Sequence, residues 1–370
     1  MSYALIWSNR ATSVSEPAEQ PRATVIGTGL VGGSVGMALR ENGWHVSAVD
    51  TDPITAGMAV KLGAADEAGF DELCELVVVA APVGKVARLA LDALSRSSAI
   101  VTDVGSTKAD ICATVDNPCF VGGHPMAGSE QDGISGARAD LFAGNMWVLT
   151  PTETTDEDAY AKVRSVVRAF GAESLSLPPD VHDNLVAQVS HVPHLAAATL
   201  MNLADAGAAE HRAVLRLAAG GFRDMTRISA GRPAIWPDIC MANDVAIIEQ
   251  LNGLIAALSS VRDLVSSRDV EGILKLLTNA RQARINLPVG FGPTADLSEV
   301  RIAVPDRPGE IAAISTLAAE LDVNIFDLEI SHSGEGRRGI MTVVIDENRS
   351  ERFLGGLIAR GYRPTVRTLD

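Results

Sequence analysis

The chain has 370 residues, 47% hydrophobic and 21% charged, which is too long for one ordinary domain and fits a globular protein of two or three. A formal net charge of -15 argues against nucleic acid as a partner, and no stretch reads as the ~20 apolar residues of a membrane span. The cysteines at 74, 112, 119 and 240 form no C-x-x-C pair, so neither a zinc site nor a disulfide framework is expected, and a reducing cytoplasm fits.

Residues 1–20 read as a flexible tail. The opening MSYALIW is too short for a signal-peptide core and lacks a basic flank. From 21 to 178, short apolar runs at 23–27, 45–50, 76–81, 99–104 and 146–150 alternate with helical stretches at 30–42, 53–62 and 83–94. That alternation predicts an α/β domain whose parallel sheet is covered on both faces. From 179 to 285 the period is helical throughout. Val245, Ile248, Leu251, Ile255, Leu258 and Val261 recur at three- and four-residue steps, a stripe that serves either a core or a dimer face. This segment holds 11 acidic and 10 basic residues in an otherwise acidic chain, which suits an anionic substrate. Residues 286–298, with Pro and Gly, read as a linker. Residues 299–370 follow the order βαββαβ, a ferredoxin-like pattern.

The first strand runs into Gly27-Thr28-Gly29-Leu30-Val31-Gly32, which opens a helix inside a βαβ unit. In that context the spacing is a dinucleotide fingerprint and predicts a Rossmann-like, doubly wound sheet. Gly27 permits the tight turn, Gly29 the approach of a pyrophosphate and Gly32 close helix–strand packing, while the helix start at Leu30 and Val31 offers free N–H groups. Asp50 closes the second strand. Its carboxylate can hold ribose hydroxyls and would repel a 2′-phosphate, so NAD is the expected cofactor.

Three further clusters carry chemistry. Ser106 follows the strand ending near 104, at the carboxyl edge where ligands bind, and can also cap a helix. His124 lies in the glycine-rich loop 122–130 before Pro125, a candidate acid/base. In the helical part, Ser190 and His194 share a helix face, and Pro193 should kink that helix. A metal site from His191, His194 and His211 lacks a supporting carboxylate pattern, so no metal is expected. Arg227, with Asp224 before it and Trp236 after it, is a natural bidentate carboxylate clamp.

Together GTGLVGGS (27–34), DVGSTK (103–108), GGHPMAGSE (122–130), SHVPH (190–194) and GGFRDMTRI (220–228) resemble the prephenate dehydrogenase family over about residues 21–285. The resemblance implies NAD-dependent oxidation and decarboxylation of prephenate to 4-hydroxyphenylpyruvate in tyrosine biosynthesis, and the apolar stripe at 245–261 together with the 299–370 tail makes a homodimer the expected assembly. It implies that His124 draws off the ring-hydroxyl proton and that Ser106 orients that hydroxyl. It further implies that Arg227 binds a substrate carboxylate, that Asp224 supports Arg227, and that Ser190, His194 and Trp236 line the pocket. Arogenate dehydrogenase, with the same chemistry on an amino side chain, is the alternative within the resemblance; a non-catalytic sensor of NAD and an amino acid is the alternative outside it. The tail, with VPDRPGEIAAI (304–314) and NIFDLEI (324–330), resembles an ACT domain. That implies an effector, L-tyrosine, bordered by Asp306, Gly309, Glu310, Asn324 and Ile325.

Overall fold

The structure is a computed structural model that describes residues 20–128, 131, 133–210, 213–286, 297–305, 307–332 and 338–369. The first part of the chain contains β1 (Arg22–Ile26), α1 (Leu30–Glu41), β2 (His45–Val49), α2 (Pro53–Lys61), β3 (Glu67–Ala68), β4 (Leu76–Val79), α3 (Val83–Arg96) and β5 (Ile100–Asp103). It continues with α4 (Ala109–Thr114), β6 (Phe120–Pro125), β7 (Met146–Thr150), α5 (Glu157–Ala169) and β8 (Glu173–Ser176). The eight strands form one sheet in the order β3-β2-β1-β4-β5-β6-β7-β8. Its central strand β4 is apolar throughout, Leu-Val-Val-Val with every residue buried, because helices cover both faces.

The expected wholly parallel sheet needs one correction. β7 runs antiparallel to β6, and β8 follows β7. Among its described residues, the connection from β6 to β7 carries only two short 3-10 turns, at Ile134–Gly136 and Ala139–Phe142. Without a crossover helix to carry it back along the sheet, the chain re-enters from the edge it left.

The middle of the chain is helical, as expected. It contains α6 (Pro179–Val186), α7 (Val192–Glu210), α8 (Ala213–Arg216), α9 (Gly220–Thr226), α10 (Trp236–Ala242), α11 (Asp244–Ser266) and α12 (Val270–Ile285). Between α6 and α7 the backbone forms a π turn, Ala187–His191, with the Val192 N–H bonded to the Ala187 carbonyl. The disturbance expected from Pro193 is therefore a widened turn. Proline has no N–H to give to the regular ladder, and the turn re-pairs its neighbours. Among the described helices α11 alone is long and apolar enough, by length and composition, to cross a membrane. Most of its apolar side chains lie outside the core: Val245, Ile248, Ile255 and Leu258 are exposed, while Ala246 and Ile247 are buried.

The last part holds β9 (Leu297–Pro305), α13 (Glu310–Glu320), β10 (Ile325–His332), β11 (Arg338–Asp346), α14 (Glu347–Ala359) and β12 (Pro364–Leu369). The antiparallel sheet has the order β10-β11-β9-β12, and Ile302, Met341, Ile345, Phe353 and Leu357 pack between sheet and helices. This is the expected ferredoxin-like βαββαβ unit.

Candidate active site

The glycine turn follows β1 at the carboxyl edge of the sheet, next to the point where strand order reverses between β1 and β4. Gly27 has φ +92, and a Cβ on it would stand 2.2 Å from the Ala80 carbonyl oxygen. A Cβ on Gly32 would stand 1.8 Å from the Gly27 oxygen, whereas one on Gly29 would meet nothing. Two of the glycines are thus demanded by the protein's own packing, and Gly29 faces open space. Leu30 and Val31 form the first turn of α1 with their side chains against the core, which leaves their N–H groups at a free helix end. Asp50 accepts the Thr28 N–H (2.8 Å) and the Thr28 hydroxyl (3.1 Å), so it also braces the turn. A glycine cradle, a helix N-terminus and a carboxylate at the end of β2 fit a dinucleotide.

His124 does not lie in a loop. It sits in β6, paired with Val148 of β7. The glycines before it are required by crowding: a Cβ on Gly123 would stand 2.6 Å from the Asp103 carbonyl oxygen, and one on Gly122 2.3 Å from Thr150 Oγ1. Ser106 lies in the turn after β5, the strand parallel to β6, so Ser106 and His124 share the carboxyl edge. From β1 that edge is three strands away, about 14 Å at ordinary strand spacing. Ser106 is not a helix cap. The N-cap of α4 is Lys108, and the carboxylate of Asp183, from α6, accepts the N–H groups of Lys108 (2.7 Å) and Ala109 (2.9 Å).

Around His124 lies a buried polar cluster. His124 Nδ1 is 2.9 Å from His182 Nε2, and His182 Nδ1 is 2.7 Å from Asp183 Oδ1. Asn243, between α10 and α11, donates to the Asp183 carbonyl (2.8 Å) and approaches His191 Nδ1 (3.2 Å). On the other side, the fully buried Lys108 ammonium bonds the Asp103 carboxylate and the Gly123 carbonyl. Asp103 in turn accepts the N–H groups of Gly105 (2.7 Å) and Gly123 (3.1 Å). Burial, and then the neighbouring His182, Lys108 and His191, push the His124 ring well below the usual histidine range. Burial pushes His191 down to about 4. His124 is therefore a neutral imidazole at pH 7, able to take a proton.

Across from this cluster, His194 in α7 stacks on Trp236 with ring centroids 3.7 Å apart and 16° between planes. His191 meets the same indole edge-on at 6.2 Å. Four histidines, at 124, 182, 191 and 194, thus gather into one region through Trp236 and the His124–His182 pair. Ser190, in the π turn, is half-buried. Arg227 opens the 3-10 turn Arg227–Ala230, which packs against α7, and both Arg227 and Asp224 are exposed. Of the histidines weighed as a metal set, His211 lies outside the described residues.

Sequence reasoning places His182 and Asp183 at the start of the helical segment and Asp103 and Lys108 in the DVGSTK stretch without giving them roles, and it passes over Asn243. The contacts of His182 and Asp183 with His124 and α4 carry no motif, because partners 58 to 75 positions apart meet only once α6 is laid on α4. One signal was available: Lys108 and Asp103 fall in a stretch whose other residues are apolar or small, where a charge needs an opposite partner.

In the ferredoxin-like unit, Asp306 lies outside the described residues. Gly309 has φ +96 with open space where a Cβ would be. Glu310 is buried, and its carboxylate is held by Arg307 and by the Tyr362 hydroxyl (2.7 Å), which together lower its pKa. Asn324 is exposed just ahead of β10, and Ile325 pairs with Ile345.

With this geometry established, comparison with known proteins is informative. Residues 35–176 match the family "Prephenate dehydrogenase, nucleotide-binding domain", residues 178–279 "Prephenate dehydrogenase, dimerization domain" and residues 298–354 "ACT domain". The prephenate dehydrogenase of Bacillus subtilis is 31% identical over 350 residues, covering 89% of this chain and 94% of the relative. Among solved structures, prephenate dehydrogenase from A. aeolicus, in complex with hydroxyphenyl propionate and NAD+, superposes with TM-score 0.69 at 26% identity, over 74% of this chain and 100% of that one. Synechocystis arogenate dehydrogenase superposes with TM-score 0.63 at 30% identity, over 71% and 98%.

Proposed function

This chain belongs to the prephenate dehydrogenase family, and from that premise we propose the roles its residues play in converting prephenate to 4-hydroxyphenylpyruvate with NAD. The observation that carries the reading is the neutral His124 at the same sheet edge as the glycine turn. Gly27, Gly29, Gly32, the N–H groups of Leu30 and Val31, and Asp50 hold the dinucleotide. When bound, NAD+ accepts the hydride from the ring carbon that bears the hydroxyl. His124 takes the hydroxyl proton as that hydride departs, with Ser106 orienting the hydroxyl. The bond to the ring carboxylate then breaks, carbon dioxide leaves, and its electron pair completes the aromatic ring. The resulting phenolate takes the proton back from His124, so the histidine ends neutral and no net proton is released.

Arg227 binds a substrate carboxylate with Asp224 steadying it, and Ser190, His194 and Trp236 line the pocket. Burial lowers the His194 pKa, so it meets the substrate side chain as a neutral hydrogen-bond partner. Arg227→Ala is expected to raise KM for prephenate about 10–100-fold, the value of a charge-assisted hydrogen bond pair, with kcat changed far less. Steady-state rates followed as absorbance at 340 nm test both the reaction and this split. No reduction of NAD+ with prephenate would overturn the reading. Similarity to an arogenate dehydrogenase supports a second substrate, and rates on both compounds rank them.

The exposed apolar face of α11 supports a homodimer, with a second copy covering Val245, Ile248, Ile255 and Leu258. Ile255→Glu would place a charge in that contact, and light scattering should give half the wild-type mass. For the ACT unit we assign L-tyrosine as feedback effector, bordered by Gly309, Glu310, Asn324 and Ile325. Titration calorimetry should show heat with tyrosine and none with tryptophan, and no heat with either would leave this unit an assembly module. The enzyme is assigned to the cytoplasm, where its free cysteines stay reduced.

A further inference from the structure

His182 contacts the base, and Asp183 contacts His182. His182 is fully buried and Asp183 nearly so. Both carboxylate oxygens of Asp183 are aimed by backbone: Oδ1 accepts the Lys108 N–H, and Oδ2 accepts the Ala109 N–H. Against such an acceptor, His182 Nδ1 at 2.7 Å is the donor. With that N–H as its single one, His182 presents a lone pair at Nε2. That lone pair faces His124 Nδ1 at 2.9 Å, and two facing lone pairs would repel. His124 therefore carries its proton on Nδ1 and keeps Nε2 bare.

We propose that His182 and Asp183 are a positioning pair that fixes the tautomer of His124, leaving Nε2 as the acceptor for the substrate hydroxyl. The pair also holds the ring after it has taken the proton, because Nδ1–H still donates to His182 while Nε2–H points at the substrate oxygen. Asn243 supports the arrangement from the junction of α10 and α11 by bonding the Asp183 carbonyl. The inference rests on the reading of His124 as the base.

The test uses the full-length protein labelled with 15N-histidine, with the His124 resonances assigned by their loss in His124→Asn. Long-range 1H–15N correlation spectra should show a protonated Nδ1 and an unprotonated Nε2 on His124. His182→Ala should lower kcat about 10–100-fold, the scale on which a partner orienting an imidazole through its second nitrogen acts. KM for prephenate and Kd for NAD should stay within twofold, and the His124 spectrum should become a mixture of tautomers. His182→Gln, whose carboxamide oxygen can accept the same N–H, should restore part of kcat and the Nδ1-protonated form. A wild-type His124 protonated on Nε2, or wild-type turnover in His182→Ala, would overturn the proposal. If His124→Asn is inactive while the tautomer is the opposite one, the positioning pair fails and the base stands. If His124→Asn turns over normally, the base reading itself fails.

Discussion

His124→Asn is expected to lower kcat by about 10²–10⁴-fold, the contribution of a positioned general base, while Kd for NAD stays near wild type. Asparagine keeps a polar group of similar reach but cannot take up a proton at neutral pH. The glycine turn is three strands away and shares no hydrogen bond with His124, so cofactor affinity has no reason to follow turnover. The pH dependence is a second readout. A histidine held below its usual range stays neutral, and competent as a base, further into acid. The acid limb of kcat/KM in the wild type should therefore fall below pH ~6.5, the ordinary histidine value. That limb should be missing from whatever activity His124→Asn retains. A wild-type limb above pH ~7 would contradict the burial and the three cationic or imidazole neighbours that hold the ring neutral.

The second large effect is structural. Lys108→Met should destabilise the protein by about 3–5 kcal/mol, the cost of stripping one partner from a buried ion pair. Lys108 and Asp103 are both fully buried, so in the variant no water replaces the ammonium. Methionine fills most of the lysine volume, which makes the lost charge and the lost bond to the Gly123 carbonyl the main changes. Urea unfolding should move to lower midpoint with an unchanged slope. Adding Asp103→Asn should recover part of the loss by removing the lone charge. It cannot recover all of it, because Gly105 and Gly123 both rely on the Asp103 carboxylate for their N–H groups. A change below 1 kcal/mol in the single variant would show that water or a second cation reaches Asp103.

Much of the site was legible because its parts are short and local. The glycine turn, Asp50, the motif around His124 and the stretch from Arg227 to Trp236 each declare themselves within a few residues, since backbone geometry or one side-chain chemistry demands them. The environment of those residues was not local. His124 reads as a loop residue because two glycines precede it, yet they are there to clear the Asp103 carbonyl and Thr150 from a strand. Ser106 reads as a cap, yet the carboxylate that accepts the first N–H groups of that helix comes from Asp183, 75 positions beyond Lys108 in α6. The sheet reads as parallel, yet β7 runs antiparallel to β6, the described residues between them forming short 3-10 turns and no crossover helix.

By itself the amino-acid sequence determined the three kinds of architecture and the glycine-rich turn, and it marked His124 and Arg227 as candidates for acid/base and clamp. These follow from periodicity and from spacing within one element. Only the tertiary structure decided how His124 is held. Its protonation and the direction of its bare nitrogen depend on His182, Asp183 and Lys108, brought against it by packing α6 on α4. Burial and distance set those properties, and neither is written in the order of residues along the chain.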